Sequence, residues 1–500
     1  MQAGFVSAPD LGTEWGEGAS ARARWALPLL LAAALGFGLA FFISVDPLKG
    51  LAVPAAVAAL VLFTRRPHWL LAAFVTSLAV PIQLAVAGLP VNAADALLLL
   101  WCGLWPLMMM RAEAPAIAQW RPPTLVWLIA PFILAVGLAQ IGSIHPEASL
   151  KQLLRVIEWF VLLPLVQTAL RPDARFQRFA GAALMTLPCL FAIDGVYEYL
   201  RAGERLTGLL GIPVPIPEGG DDQIRHTFDI SGRAGSTFGG AQGLAIYLVM
   251  TMAFSVAHIL HPPAPWMRRL GWCCLAMAIG GLYVAQSRGG VLGGVAVVVA
   301  VALTLRPSLR RALPLGLLFL TCVSLVGMGL WADWDGSVAG LVPGRPDSVL
   351  DRLIIWSRAW SLMLENPFLG VGLGNFRDHF FEREAWLHVD LAYPSLHAHN
   401  TYLELLAGTG WLGLIAYLGF LAAVARRLTR LWDQPGPKPV LTLGAIGALA
   451  AYAVFAMVDM LLLQNMHLLL ILLLSLGLTA PGSPMVGVPL AERPFTEPGH

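Results

Sequence analysis

The chain reads as an all-α polytopic membrane protein with about 12–14 transmembrane helices, and three observations predict it. Of its 500 residues 57% are apolar and only 12% charged, with a mean hydropathy of +0.71, outside the range of soluble globular chains. Apolar runs long enough to span a bilayer, roughly 17–25 residues each, recur along the whole chain. Basic residues crowd into every second connection between those runs, the asymmetry that fixes orientation in a bilayer.

The elements follow in order. Residues 1–24 are polar, with Asp10, Glu14 and Glu17, and are expected to form a cytoplasmic tail. The next apolar run exceeds a signal-peptide core and has no small-residue cleavage site after it, which predicts a retained first anchor. Spans are expected near 25–45, 50–64, 69–88, 91–110, 123–141, 151–170 and 179–200, then 241–260, 271–286, 289–305 and 312–331, and finally 401–424, 440–463 and 467–480. Arg22/Arg24, Arg65/Arg66, Arg111/Arg121, Arg171/Arg175/Arg178, Arg268/Arg269, Arg306/Arg310/Arg311 and Arg426/Arg427/Arg430/Lys438 mark alternate connections. That side is therefore expected to be cytoplasmic and to hold both termini, including the tail 481–500.

Two connections on the opposite face, 201–240 and 332–400, are long. They divide the chain into helices 25–200, 241–331 and 401–480. The second long connection contains "RPDSVLDRLIIWSRAWSLMLENP", which predicts an amphipathic helix with Ser348 and Asp351 in capping-box spacing and Asn366-Pro367 as its stop. On a helical wheel Leu350, Leu353, Ile354, Trp360 and Leu364 form one apolar stripe, and Arg358 lies opposite it. Arg352 lies on the flank of the stripe and is the better placed to turn inward, so the two arginines cannot serve one site. Such a helix suits a lid or an interfacial element over the outer ends of the bundle.

Polar residues gather on this outer face. "RAGSTFGGAQG" begins at Arg233, "QSRGG" puts Arg288 in a tight turn, and "HAHNTYLELLAGTGWLG" opens a span with His397, His399, Asn400 and Glu404. The spans hold few ionisable groups, mainly Asp95, Glu158, Asp194 and Asp459, with Arg155 near one end. All five cysteines fall in apolar runs, so no disulfide framework or zinc pattern is visible. No nucleic-acid-binding motif or Walker loop is present.

"RLIIWSRAW…ENPFLGVGLGNF" followed by "HAHNTYLELLAGTGWLG" resembles the bacterial O-antigen ligase and polymerase superfamily over about 225–425. His399-Asn400, nine residues, then Gly410-x-x-Gly413 matches the ligase branch, and the Arg233 and Arg288 segments resemble it in the same order. The resemblance implies a glycosyltransferase of cell-surface polysaccharide or lipopolysaccharide biosynthesis in the bacterial inner membrane, with its active site on the periplasmic face. The donor would be a glycan on undecaprenyl diphosphate; the acceptor would be lipid A core or another lipid-linked repeat unit. No metal, ATP or other cofactor is expected.

The residues suit that chemistry. Arginines give fixed positive charge for a departing diphosphate, which assigns Arg233, Arg288 and Arg352 to it. A histidine titrates in the range of a useful base, which assigns His399 to the acceptor hydroxyl, with Asn400, His397 and Glu404 in support. Gly410 and Gly413 are expected to serve helix packing. Against the metal-free reading stand Asp333 and Asp335 in Asp-x-Asp spacing, with Glu218, Asp221 and Asp222 in the other loop, a set suited to Mg²⁺ or Mn²⁺. A polymerase of the same superfamily is the nearest functional alternative. A transporter or flippase is the next, disfavoured because no internal repeat of the apolar pattern is visible.

Overall fold

The computed structural model describes residues 67–79, 83–86, 89–110, 124–169, 174–201, 206, 233–238, 240–306, 347–384, 397–462 and 465–479. The expected spans at 25–45, 50–64 and 312–331 lie outside the described residues, as do both tails and the acidic residues Glu218, Asp221, Asp222, Asp333 and Asp335. So do the side chains of Ser348 and Asp351.

Thirteen α-helices are described: α1 Pro67–Ser77, α2 Ala93–Met110, α3 Thr124–Ala139, α4 Pro146–Ala169, α5 Ala174–Leu200, α6 Ala241–Leu260, α7 Pro265–Ala285, α8 Arg288–Leu305, α9 Asp347–Glu365, α10 Phe376–Glu384, α11 Thr401–Asp433, α12 Val440–Phe455 and α13 Met466–Gly477. The fold is an all-α polytopic membrane protein. Among the described residues α5, α6, α8 and α11 are long and apolar enough to cross a membrane, and shorter apolar helical stretches are Ala93–Trp105, Trp127–Gly142, Val440–Phe455 and Met466–Gly477.

Two expected spans are cut short. The run 69–88 becomes the short helix α1 and a two-stranded antiparallel hairpin, β1 Gln83–Val86 with β2 Leu89–Asn92. The sequence disfavours a longer helix here, because Pro81 lacks an amide hydrogen and a proline ring crowds the preceding turn. The run 440–463 stays helical only to Phe455, where α12 ends. Asp459 therefore sits in the connection to α13 and not within a helix.

α6 is the axis of the bundle, packed against α5, α7, α8 and α12, while α13 packs on α12 and α4 and α11 lies along α3. Small residues allow the close approach: a Cβ on Gly293 would meet Val249 at 2.9 Å, and one on Gly447 would meet Ala253 at 2.9 Å. Membrane helices associate through such contacts because lipid offers no hydrophobic drive between them. On α8, Val291, Leu292, Val295, Val298 and Val299 are exposed, an apolar face suited to lipid.

Helix length sets the shape of one end. The 16 residues of α12 and the 12 of α13 extend about 24 and about 18 Å, less than the ~30 Å apolar thickness of a bilayer. The starts of α11 and α8 pack against the α12–α13 connection, and the segment 233–238 meets the turn before α8.

α11 is broken where the sequence predicted a packed but continuous helix. Gly410 has φ 63° and ψ −166°, a backbone region open essentially only to glycine. A straight helix would place Tyr402 and Tyr417 about 22 Å apart; their ring centroids lie 6.5 Å apart, so the chain turns sharply. The loop after α9 fills the break. Val371 and Gly372 donate their amide hydrogens to the Ala407 and Gly408 carbonyls at 3.0 Å each. Trp411 and Leu412 donate to the carbonyls of Pro367 and Phe368 at 2.8 and 3.4 Å. The end of one half-helix and the start of the next are thereby satisfied, as a break inside a membrane protein requires. The fit leaves no room: a Cβ on Gly410 would run into the Phe368 carbonyl, and one on Gly370 into the backbone of Gly408.

Candidate active site

The segment His397–Asn400 is held from three sides. Asn400 is the N-cap of α11, its Oδ1 accepting from the amides of Tyr402 and Leu403 at 2.9 and 3.0 Å, the role short polar side chains play best. Its amide nitrogen donates to the Met457 carbonyl at 2.8 Å. Thr401 clasps the α12–α13 connection: its amide donates to the Ala456 and Asp459 carbonyls, and its hydroxyl donates to Asp459 O at 2.9 Å while accepting from Leu461 N at 2.9 Å. From above, the Trp356 indole of α9 donates to the Ala398 carbonyl at 2.8 Å. Glu404, buried, accepts the Ala398 amide at 2.8 Å, so it braces the segment's backbone.

These restraints hold His399 at φ 47°, a left-handed conformation uncommon for a residue with a side chain and frequent at functional positions. Its Nδ1 lies 3.5 Å from Oδ1 of Asp459, an ion-pair distance. The side chain of His399 is 34% exposed and that of Asp459 5%. A carboxylate facing Nδ1 favours the tautomer with hydrogen there, which leaves Nε2 open as a base. Asn400 was expected to support His399. Its capping bonds anchor the adjoining backbone, and the carboxylate facing the ring is that of Asp459.

His397 differs in kind. Its Nδ1 accepts the His399 amide at 3.1 Å, so in the neutral ring hydrogen sits on Nε2, a donor and not a base. The two rings are in edge contact, centroids 4.2 Å apart. Burial, then the neighbouring His399, and further Arg352, pull His397 down to about 4 against the attraction of Asp459. Asp459 sits below the usual carboxylate range: burial raises it, but His399 and His397 outweigh burial.

The sign of the His397 shift gives a prediction. Its folded value lies below its ordinary 6.5, so between about pH 4 and 6.5 the unfolded chain binds more protons, and stability falls as pH drops through that window. The thermal midpoint should fall between pH 7 and 4.5, and His397→Asn should flatten part of that slope. Parallel slopes in parent and variant would contradict the burial of this ring.

Arg352 of α9 turns inward, as expected. Burial lowers its guanidinium, Asp459 opposes this, and the like charge of Arg288 adds to the lowering. Arg358 is engaged elsewhere, 3.4 Å from Glu365 and donating to the His379 carbonyl at 3.3 Å. Arg288 follows a left-handed Gln286 (φ 45°) and Ser287, the N-cap of α8, which accepts from Gly290 N at 3.2 Å. The glycines after Arg288 pack on protein: a Cβ on Gly289 would meet Val458 at 2.9 Å, which sets this turn against the Asp459 connection. Arg233 donates through Nε to the Ala285 carbonyl at 3.0 Å, against the same turn.

Its loop is pinned by α5. Glu198 accepts the amides of Gly235 and Ser236 at 3.1 and 2.7 Å, and Asp194 accepts the Ser236 hydroxyl at 2.7 Å.

The structure thus brings His397, His399 and Arg352 together around Asp459, with Arg288 close enough to act on Arg352, Arg233 beside the Arg288 turn, and Asn400 and Glu404 bracing the segment. Asp459, Thr401 and Trp356 are the members that sequence reasoning missed. The signal for Asp459 was its acidity in an otherwise apolar run. His397, His399 and Asp459 bring one ligand atom each within 4.8 Å of one another, a set able to hold a divalent cation. Arg352 brings positive charge to the same carboxylate, which opposes a cation there.

Over 377 residues the chain is 23% identical to the exopolysaccharide production protein ExoQ of Rhizobium meliloti (strain 1021), covering 73% of this chain and 79% of that protein. The O-antigen ligase family model matches residues 273–418, which run from α7 through Arg288, Arg352 and the two histidines to the broken helix, so that this stretch of the membrane protein is similar to the O-antigen ligase family.

Proposed function

We propose that this chain is a glycosyltransferase that moves a glycan from undecaprenyl diphosphate to an acceptor sugar hydroxyl at the periplasmic face of the bacterial inner membrane. The observation that carries the reading is the convergence of a histidine–carboxylate pair with buried positive charge. Arg352 is desolvated, feels Arg288, and has only Asp459 as its named counter-charge, which suits an anionic ligand of more than one charge.

In the reaction His399 Nε2 takes the proton of the acceptor hydroxyl as its oxygen bonds to the anomeric carbon. The bond from that carbon to the diphosphate oxygen breaks, and the electron pair leaves with the diphosphate. Arg352, Arg288 and Arg233 stabilise the charge that develops there. Asp459 stabilises the imidazolium, and His397 offers Nε2–H to a substrate oxygen. The arginines supply the charge that a metal would, so no metal is assigned.

Ligation to lipid A core is the first reading, from the His399-Asn400 and Gly410-x-x-Gly413 register. Polymerisation of lipid-linked repeats is the second, favoured by the similarity to an exopolysaccharide production protein. The surface glycan of a deletion strain separates them on a gel. Loss of ligation leaves full-length polymer on the carrier lipid, whereas loss of polymerisation leaves single repeats on the acceptor. An unchanged glycan and carrier pool would refute both.

A further inference from the structure

The peptide unit that joins Ala398 to His399 is bonded at both ends. Its carbonyl accepts from the Trp356 indole of α9 at 2.8 Å, and its amide hydrogen goes to His397 Nδ1 at 3.1 Å. One peptide plane thus lies between the two histidines and touches both. We infer that Trp356 is a positioning residue for the transfer, holding this plane so that His399 is aligned and the hydrogen of His397 stays on Nε2. The inference rests on the transfer reading above.

Backbone conformation is the first argument. Turning the plane over would carry φ of His399 from 47° to roughly −130°, inside the broad extended region open to any side chain. The left-handed value is the costlier one and persists only where the surroundings enforce it. Glu404 holds the Ala398 amide, which belongs to the preceding peptide unit, and Asn400 caps α11 one residue later. Neither bond blocks the rotation. Among the described residues the Ala398 carbonyl accepts from Trp356 alone.

The second argument is what a turned plane would do. It would tilt the His399 side chain relative to Asp459, whose Oδ1 now lies 3.5 Å from Nδ1. It would also present a carbonyl oxygen, and not an amide hydrogen, to His397 Nδ1. A neutral imidazole answers an acceptor at Nδ1 by placing its hydrogen there, which leaves Nε2 without one. The donor that His397 offers to substrate would be lost.

The third is the direction of the indole. A tryptophan that only anchors a helix at a membrane interface keeps its N–H toward the wet side; this one spends it on the segment that carries the base. Arg352 stands four residues earlier, on the same face of α9, so one helical turn carries both the charge for the diphosphate and the hold on the histidines. The docking of α9 does not depend on the indole N–H, because Ile355, Ala359, Leu362 and Met363 are buried.

The test uses the purified full chain in lipid nanodiscs, with radiolabelled undecaprenyl-diphosphate-linked glycan from its host as donor. Lipid A core and a lipid-linked single repeat serve as separate acceptors. Trp356→Phe keeps a ring in place and removes the donor; Trp356→Met, equally without a donor, is run beside it. Each should lower kcat about tenfold, the shift that losing one hydrogen bond gives a local equilibrium, with the KM of both substrates within about twofold. Spectra of the ¹⁵N-histidine-labelled chain at alkaline pH, with the His397 signals identified by their loss in His397→Asn, report the tautomer. Hydrogen should sit on Nε2 of His397 in the parent and on Nδ1 in a large share of either variant. An unchanged kcat overturns the inference. So does a lower kcat with the His397 hydrogen still on Nε2, which is what a merely structural tryptophan would give. No transfer by the parent chain to either acceptor overturns the transfer reading and the positioning role with it.

Discussion

His399→Ala should lower transfer of the lipid-linked glycan by about 10²–10⁴-fold, the usual effect of removing a general base. Protein level and donor binding should stay near those of the parent, because the N-cap of α11 is made by Asn400 and not by His399. His397→Ala should be milder, since that ring presents a donor and its Nδ1 is occupied by the His399 amide. Asp459→Asn should fall between them by removing the charge that stabilises the imidazolium. EDTA should affect neither the parent nor any variant. Full activity of His399→Ala, combined with loss on adding EDTA or in Asp333→Ala, would replace this mechanism with a metal-dependent one.

Gly410→Ala should be the most damaging single change to stability. The residue combines a backbone conformation that side chains avoid with a neighbour, the Phe368 carbonyl, that occupies the place of the new methyl. Strain of this kind costs ~1–3 kcal/mol before the clash is counted, so a loss of roughly 3 kcal/mol or more is expected. Transfer activity should fall with it, because the break sets the height and direction of the half-helix that begins behind His399. Gly419→Ala is the control: it lies in the same helix with open space around it and should stabilise by up to about 1 kcal/mol. Thermal melting in detergent reads both. Equal midpoints for parent and Gly410→Ala would mean that α11 is a continuous helix.

What the sequence made legible is what local pattern determines. The apolar run 241–260 matches α6, and 289–305 lies within Arg288–Leu305. The amphipathic helix α9 and the inward turn of Arg352 follow from one apolar stripe, and the helix start at Asn400 from capping chemistry. What stayed hidden depends on residues distant in the chain. Gly410 and Gly413 carry the spacing of packing glycines, and nothing local shows that the backbone of 367–372 enters the helix at Gly410. Asp459 lies in an apolar run whose helix ends early, and only the clasp by Thr401 and Asn400 carries its carboxylate to His399. The hairpin at 83–92 was hidden in the same way, since hydropathy alone does not separate a short strand pair from a membrane helix.

The interlock of 367–372 with 407–412 has a consequence for engineering. A long connection between membrane helices is commonly treated as an exchangeable module, to be grafted from one relative onto another to change what is recognised. Here the graft boundary cannot fall at the start of α11. A foreign loop would leave the carbonyls of Ala407 and Gly408 and the amides of Trp411 and Leu412 without partners inside the protein. A chimera that keeps its transfer activity should therefore carry residues 347–433 as one piece, lid helix, inserted loop and broken helix together.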